Sequence, residues 1–269
     1  MQFLKNLLAS VLGTFIAIVL SFIFLFILLA GIASSIDTAE EVIVKENSLL
    51  TISLQKPMTD RSPKQFEFEA AFDLDADAVG LDKILASIRS AKDDDRIEGI
   101  SIEHTFLQSG MSQTQVIRDA LTDFKKSGKF IYAYHDYFRQ KDYYLASVAD
   151  SVFVHPEGGV ELAGLASEVL YLKEFQDITG IEMQVIRSGA YKSAVEPFLQ
   201  NKMSEENREQ IKSLLNSFWA EMVVKIEERT ALTPKKINEI ASSLDALVSA
   251  NAVELGVVDD AILRNEYSC

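Results

Sequence analysis

This 269-residue sequence predicts an α/β fold with a helical C-terminal extension, preceded by one apolar N-terminal helix. Three observations carry that reading. Between residues 48 and 187, short runs of β-formers alternate with amphipathic helical patterns, at spacings that suit parallel βαβ units. From residue 204 onward the periodicity is helical. No charged residue stands between Asn6 and Ile36, a run longer than the ~20 apolar residues a bilayer core requires.

The apolar segment, residues 1–36, is read as an uncleaved transmembrane anchor. Gly31-Ile32-Ala33 offers small residues suited to signal-peptide cleavage, but the run exceeds the ~7–15 residues of a typical signal-peptide core. Lys5 and the terminal amine lie on one side, and Asp37, Glu40 and Glu41 on the other. Positive residues stay cytoplasmic, which places the N-terminus inside and the large domain outside the cytoplasm. Residues 37–47 read as a polar stalk, and residues 48–265 as one domain.

Within that domain, residues 48–55 alternate and form a first strand, and residues 56–76, with Pro57 and Pro63, form a surface loop. Leu81, Ile84, Leu85 and Ile88 mark a helix ending near Ala91, and Asp93-Asp94-Asp95 a solvated turn. A strand at 99–103 follows, then a loop through Gly110. The helix at 112–126 has a stripe of Val116, Ile117, Ala120, Leu121 and Phe124, and Ser127-Gly128 stops it. Next come a strand at 129–134, a helix at 142–149, a strand at 151–155, a helix at 168–179 halted by Gly180, and a strand at 181–187. Helices at 204–229, 234–242 and 246–255 complete the chain.

Composition excludes several functions. The net charge is −14, and Lys5 is the only charged side chain before Asp37, so the domain is strongly acidic and no nucleic-acid partner is expected. Cys269 is the only cysteine, which removes internal disulfides and thiol catalysis. His104, His135 and His155 are too scattered for a metal centre, and no cofactor is implied.

The chemistry concentrates at Tyr191-Lys192-Ser193-Ala194-Val195-Glu196-Pro197-Phe198. An ordinary lysine titrates near ~10.4, and burial alone lowers that by several units, enough to make a proton acceptor. Tyr191, Ala194, Val195 and Phe198 are expected to supply the apolar surroundings. Ser193 either bonds near the lysine or caps the next helix, and Glu196-Pro197 sets a turn. The aromatics Tyr132, Tyr134, Tyr137, Phe138, Tyr143 and Tyr144 either line a groove for apolar segments or pack a core.

Tyr143-Tyr144-Leu145-Ala146-Ser147, the stretch from Ser188 to Phe198, and Leu255-Gly256-Val257-Val258-Asp259 resemble the bacterial signal peptide peptidase family (SppA or protease IV, peptidase family S49). The resemblance is to the N-terminal half of its long, two-repeat form. It implies a Clp protease/crotonase-like spiral of ββα units and a Ser/Lys dyad that cleaves hydrophobic peptides, signal peptides above all. It places Lys192 on the family's general base, and it implies ring-like or bowl-like homo-oligomers. In the long form the nucleophile lies in the second repeat, in Ser-Gly-Gly before an aromatic pair. Gln140-Lys141-Asp142 stand at the corresponding place here, so this chain is expected to hold the base without the nucleophile and to be inert alone. The competing reading is a non-catalytic, membrane-anchored scaffold of crotonase type. Acyl-CoA chemistry is disfavoured by the expected location outside the cytoplasm.

Overall fold

Five short parallel strands form the sheet on which the domain is built. The computed structural model describes residues 2–35, 43–62, 78–103, 106–186, 188–189 and 191–267. In chain order the sheet strands are β1 (Ser48–Ile52), β4 (Ile97–Glu103), β5 (Phe130–His135), β6 (Ser151–Val154) and β7 (Asp260–Ala261). They lie side by side in that order, every pair parallel. A separate parallel pair joins β2 (Met58–Thr59) to β3 (Val79–Gly80).

Parallel neighbours need crossovers, and here helices supply them. Helix α2 (Leu81–Asp93) precedes β4, α3 (Met111–Lys125) precedes β5, and α4 (Gln140–Ala146) precedes β6. Ile88 and Ala91 of α2 and Ile117, Leu121 and Phe124 of α3 pack with Ile100, Ile102, Ile131, Ala133, Val152 and Val154 of the sheet. The opposite face carries Ser101, Tyr132, Tyr134 and Phe153, in a register that pairs Ser101 with Tyr132 and Tyr134 with Phe153. A terminal turn, α10 (Arg264–Tyr267), closes part of it. The Tyr267 ring stacks on Tyr134 at 5.0 Å, and its hydroxyl lies 2.6 Å from Ser101 Oγ. Arg264 pairs with Glu103 at 2.9 Å.

The remaining helices are α5 (Lys173–Thr179), α6 (Glu196–Leu199), α7 (Glu205–Thr230), α8 (Pro234–Ser243) and α9 (Ser249–Glu254). Ser204 and Thr233 cap α7 and α8 through their side chains, each accepting from the backbone N–H three residues on. At the N-terminus, α1 (Gln2–Ser35) is a single exposed helix whose stretch Lys5–Leu29 is long and apolar enough to cross a membrane.

The α/β architecture expected from the sequence is present, with differences in detail. The expected strand at 181–187 is absent from its described residues, 181–186, which are irregular and mostly exposed. Ile181, Met183 and Val185 alternate as a strand would, but no sheet edge reaches them, and β-propensity without a partner strand does not make a strand. The expected helix at 168–179 starts only at Lys173, and that at 246–255 divides into a 3₁₀ turn, Asp245–Leu247, and α9. Strand β7 and helix α10 had no sequence signal. Most of the expected stalk and loop, at 37–42 and 63–76, lies outside the described residues, as do His104, Arg187 and Cys269.

Candidate active site

Residues 163–204 leave the core and form an arm. Among its described residues only two are buried, Gln176 and Glu196, and both are polar. The arm therefore has no apolar core of its own, and hydrogen bonds set its internal order. Gln176 Oε1 accepts from Met183 N at 2.9 Å, and Gln176 Nε2 donates to Phe198 O at 2.9 Å. Leu172 N donates to Pro197 O at 2.7 Å. These bonds hold α5 against the lysine octet.

Gly189, at φ +95°, opens the turn that leads into Lys192, in a region that L side chains avoid. Lys192 precedes the 3₁₀ turn Ser193–Val195, and α6 follows at once. Both flanks of the lysine are tied to the start of α7. On the near side, Gln210 Nε2 donates to Tyr191 O at 3.1 Å. On the far side, the Glu196 carboxylate accepts from Ser204 N at 3.2 Å, from Asn207 Nδ2 at 3.0 Å and from the Ser204 hydroxyl.

Lys192 itself is exposed, and its Nζ has no hydrogen-bond or ion-pair partner among the described residues. The apolar enclosure expected from Tyr191, Ala194, Val195 and Phe198 is not formed among the described residues. Tyr191 and Ala194 are exposed, and Val195 and Phe198 are half-buried. The reason is the arm, which carries the octet away from the packed sheet. Ser193 lies inside the 3₁₀ turn, and the cap positions of that turn and of α6 fall to Lys192 and Val195.

At Gln140-Lys141-Asp142, each side chain has a structural task. Gln140 Oε1 accepts from Ala163 N and Gly164 N at 2.9 and 2.8 Å, and its Nε2 donates to Gly164 O, fastening the root of the arm. Asp142 Oδ1 accepts from Leu107 N at 3.0 Å. Lys141 Nζ donates to Ser109 O, and burial pushes this ammonium below its ordinary range. Ser109 Oγ is buried and lies 2.7 Å from Thr114 Oγ1.

The aromatic cluster divides. Tyr134, Phe138, Tyr143 and Tyr144 are buried, whereas Tyr132 and Tyr137 are exposed, so most of these rings pack the interior. His135 is buried and stacks on Phe138 at 4.3 Å. No group of metal-binding side chains occurs among the described residues. Sequence reasoning missed the structural work of Glu196, Asn207 and Gln210. The available signal was Ser204 with Asn207 at a helix start, eight and eleven residues after a carboxylate set in an apolar run.

Residues 123–267 match the family described as Peptidase family S49, a stretch covering more than half of the chain and including Lys192. A protein named Protease 4 from Haemophilus influenzae is 33% identical over 189 residues, covering 67% of this chain and 31% of that protein. Protease 4 from Salmonella typhi is 34% identical over 168 residues, 62% of this chain and 27% of its own length. The Arabidopsis thaliana protein named Serine protease SPPA, chloroplastic, is 27% identical over 224 residues, covering 82% and 32% respectively. The matched stretch thus spans about a third of the length of these relatives.

Proposed function

Because the chain belongs to peptidase family S49, we propose that it is the base-bearing part of a membrane-anchored serine endopeptidase. Lys192 is the general base of a Ser/Lys dyad, and the serine comes from outside this chain. The observation that carries this reading is the presentation of Lys192. A lysine with both flanks fastened to a helix start, yet with no partner for its ammonium among the described residues, is held for a group outside them.

The chemistry requires three things of the site. The serine hydroxyl must lose its proton during attack on the carbonyl, so the lysine must meet it as a neutral amine. The amine must be shielded from water, and the exposed octet supplies no shield alone. A covering surface must therefore come from another copy or another repeat. The arm's uncovered apolar side chains favour such assembly, since contiguous exposed apolar surface marks a contact site. Homo-oligomerisation thus both buries the arm and completes the dyad.

Helix α1 anchors the protein in a bacterial inner membrane, with the N-terminus cytoplasmic and residues 48–265 on the other side. The substrates are apolar peptides near that surface, cleaved signal peptides foremost. The names of the two bacterial relatives support a protease. A second reading, an inert anchored scaffold, draws on the structural use of Gln140, Lys141 and Asp142 where a nucleophile would stand.

Peptide hydrolysis by the complete protein, with and without Lys192→Ala, tests the assignment. Loss of a general base lowers the rate about 10²–10⁴-fold. Hydrolysis that survives Lys192→Ala overturns it. On the 269-residue chain alone an active-serine probe is expected to leave no label, and Lys192-dependent labelling would instead place the nucleophile within it.

A further inference from the structure

We infer that Glu196 is a positioning residue for Lys192: its buried carboxylate fixes the loop that presents the lysine to its serine partner. This rests on Lys192 being the base, and it adds what holds that base in place. Glu196 is 0% exposed, in an arm where almost every other side chain meets solvent. A buried carboxylate is costly unless its lone pairs are used, and a segment does not retain one without a return.

Here the lone pairs are used. Oε2 accepts from Ser204 N and Asn207 Nδ2, and Oε1 from the Ser204 hydroxyl. All three donors belong to the start of α7, a 26-residue helix whose N-terminal dipole also favours the negative charge. Capping α7 does not explain this arrangement, because Ser204 Oγ already accepts from Asn207 N at 3.2 Å. The carboxylate instead ties a second segment to a helix start that is already capped.

Geometry says what that second segment is for. Between the two attachments, at Tyr191 O and at the Glu196 carboxylate, run only Lys192 and one 3₁₀ turn. Pro197 and Phe198, directly after Glu196, accept from Leu172 N and Gln176 Nε2, so the same anchor is braced against α5. With no apolar core in the arm, removing the carboxylate removes the main fixed point on the lysine's C-terminal side. Proximity catalysis is sensitive to such looseness, because a misplacement of about 1 Å can cost ~10²-fold. Glu196 does not itself touch the reacting atoms in this scheme.

Amide hydrogen exchange on the full chain in detergent micelles, for wild type, Glu196→Ala, Glu196→Gln and Lys192→Ala, tests the inference without requiring activity. In Glu196→Ala the amides of Leu172, Lys192 and Gln200 are expected to exchange about tenfold faster or more, with β4–β6 unchanged. Glu196→Gln keeps one acceptor oxygen and should fall between, and Lys192→Ala should match wild type. Wild-type exchange of those amides in Glu196→Ala overturns the inference. If Glu196→Ala unfolds the domain, Glu196→Gln decides: loosening confined to the arm supports it, and wild-type exchange overturns it. In the complete peptidase, Glu196→Ala should lower kcat with KM little changed, and Glu196→Gln should restore part of the loss. An equal fall in active protein, with kcat per folded molecule intact, overturns the inference. Failure of the base assignment shows separately, as hydrolysis intact in Lys192→Ala while Glu196→Ala still loosens the arm.

Discussion

Tyr143 ties α4 to the segment after α9 through its hydroxyl. Its ring is fully buried on α4 and lies edge-on to Phe138, and its hydroxyl donates to Val257 O at 2.5 Å. Burial pushes this phenol up to about 12. The folded pKa then exceeds the unfolded value of ~10, so the stabilisation is complete below pH ~10 and is lost as pH rises toward 12. Tyrosinate absorbance and circular dichroism should therefore change together in that window. Tyr143→Phe should cost about 1 kcal/mol at neutral pH and make the alkaline transition later. Tyr143 ionising near pH 10 with the fold intact would contradict this. Gly99 gives a second test on this scale. A Cβ there would stand 2.6 Å from the Phe130 ring and 2.7 Å from Phe130 O on the next strand, where the backbone cannot yield. Gly99→Ala should cost about 1–3 kcal/mol in urea unfolding. At this scale the octet around Lys192 stands out in the sequence as a specific motif, but its surroundings do not. Tyr191, Ala194 and Phe198 are apolar by type, yet solvent contact depends on where the arm carries them. In the sequence Glu196 reads as part of a turn, because the groups that donate to its carboxylate lie beyond it, in a separate element.

Helix α7 shows the same division along one element. Its second half reaches the core: Met222, Val223 and Ile226 are buried, and Val223 and Ile226 share the core with Ile237 and Ile240 of α8. Its first half holds the lysine loop and leaves Leu214 and Phe218 exposed. Truncation should separate the halves. Ile226→Ala should cost about 2–5 kcal/mol in thermal or urea unfolding of the dispersed domain, and Leu214→Ala less than about 0.5. Equal costs would mean that α7 packs evenly along its length. Helix periodicity located α3 and α7 to within a residue or two, because each has enough turns for a stripe to repeat. Strands β4, β5 and β6 were found for a related reason: their apolar runs are bounded by turn residues and are buried. The pair of residues in β7 has no room for a pattern. The run at 181–186 has the pattern but lacks a neighbour to pair with, and pairing is a property of the assembled sheet rather than of the run.

Outside α1, the outstanding imbalance over the molecule is apolar surface on the arm. Leu170, Ile178 and Ile186 are between 76% and 102% exposed, and Phe175, Ile181 and Met183 lie near them in the chain, also exposed. The arm has no competing use for these side chains, since the two residues it buries are polar. A protein that keeps apolar residues in water at this density gains by covering them, and the gain is roughly 25 cal/mol per Å² buried. A second copy of the same surface is the cover proposed above. Assembly would then also bring an outside surface over Lys192, so covering the arm and shielding the base become one event. Introducing charge should uncouple them from folding. Ile178→Asp with Ile186→Asp should leave circular dichroism and the unfolding midpoint of the sheet domain near wild type. The same pair should reduce the assembled mass in analytical ultracentrifugation and, in the complete protein, lower hydrolysis together with it. If the doubly charged arm assembles as wild type does, the apolar surface faces something other than its own copies. If mass falls while hydrolysis persists, Lys192 does not depend on a neighbour for its cover.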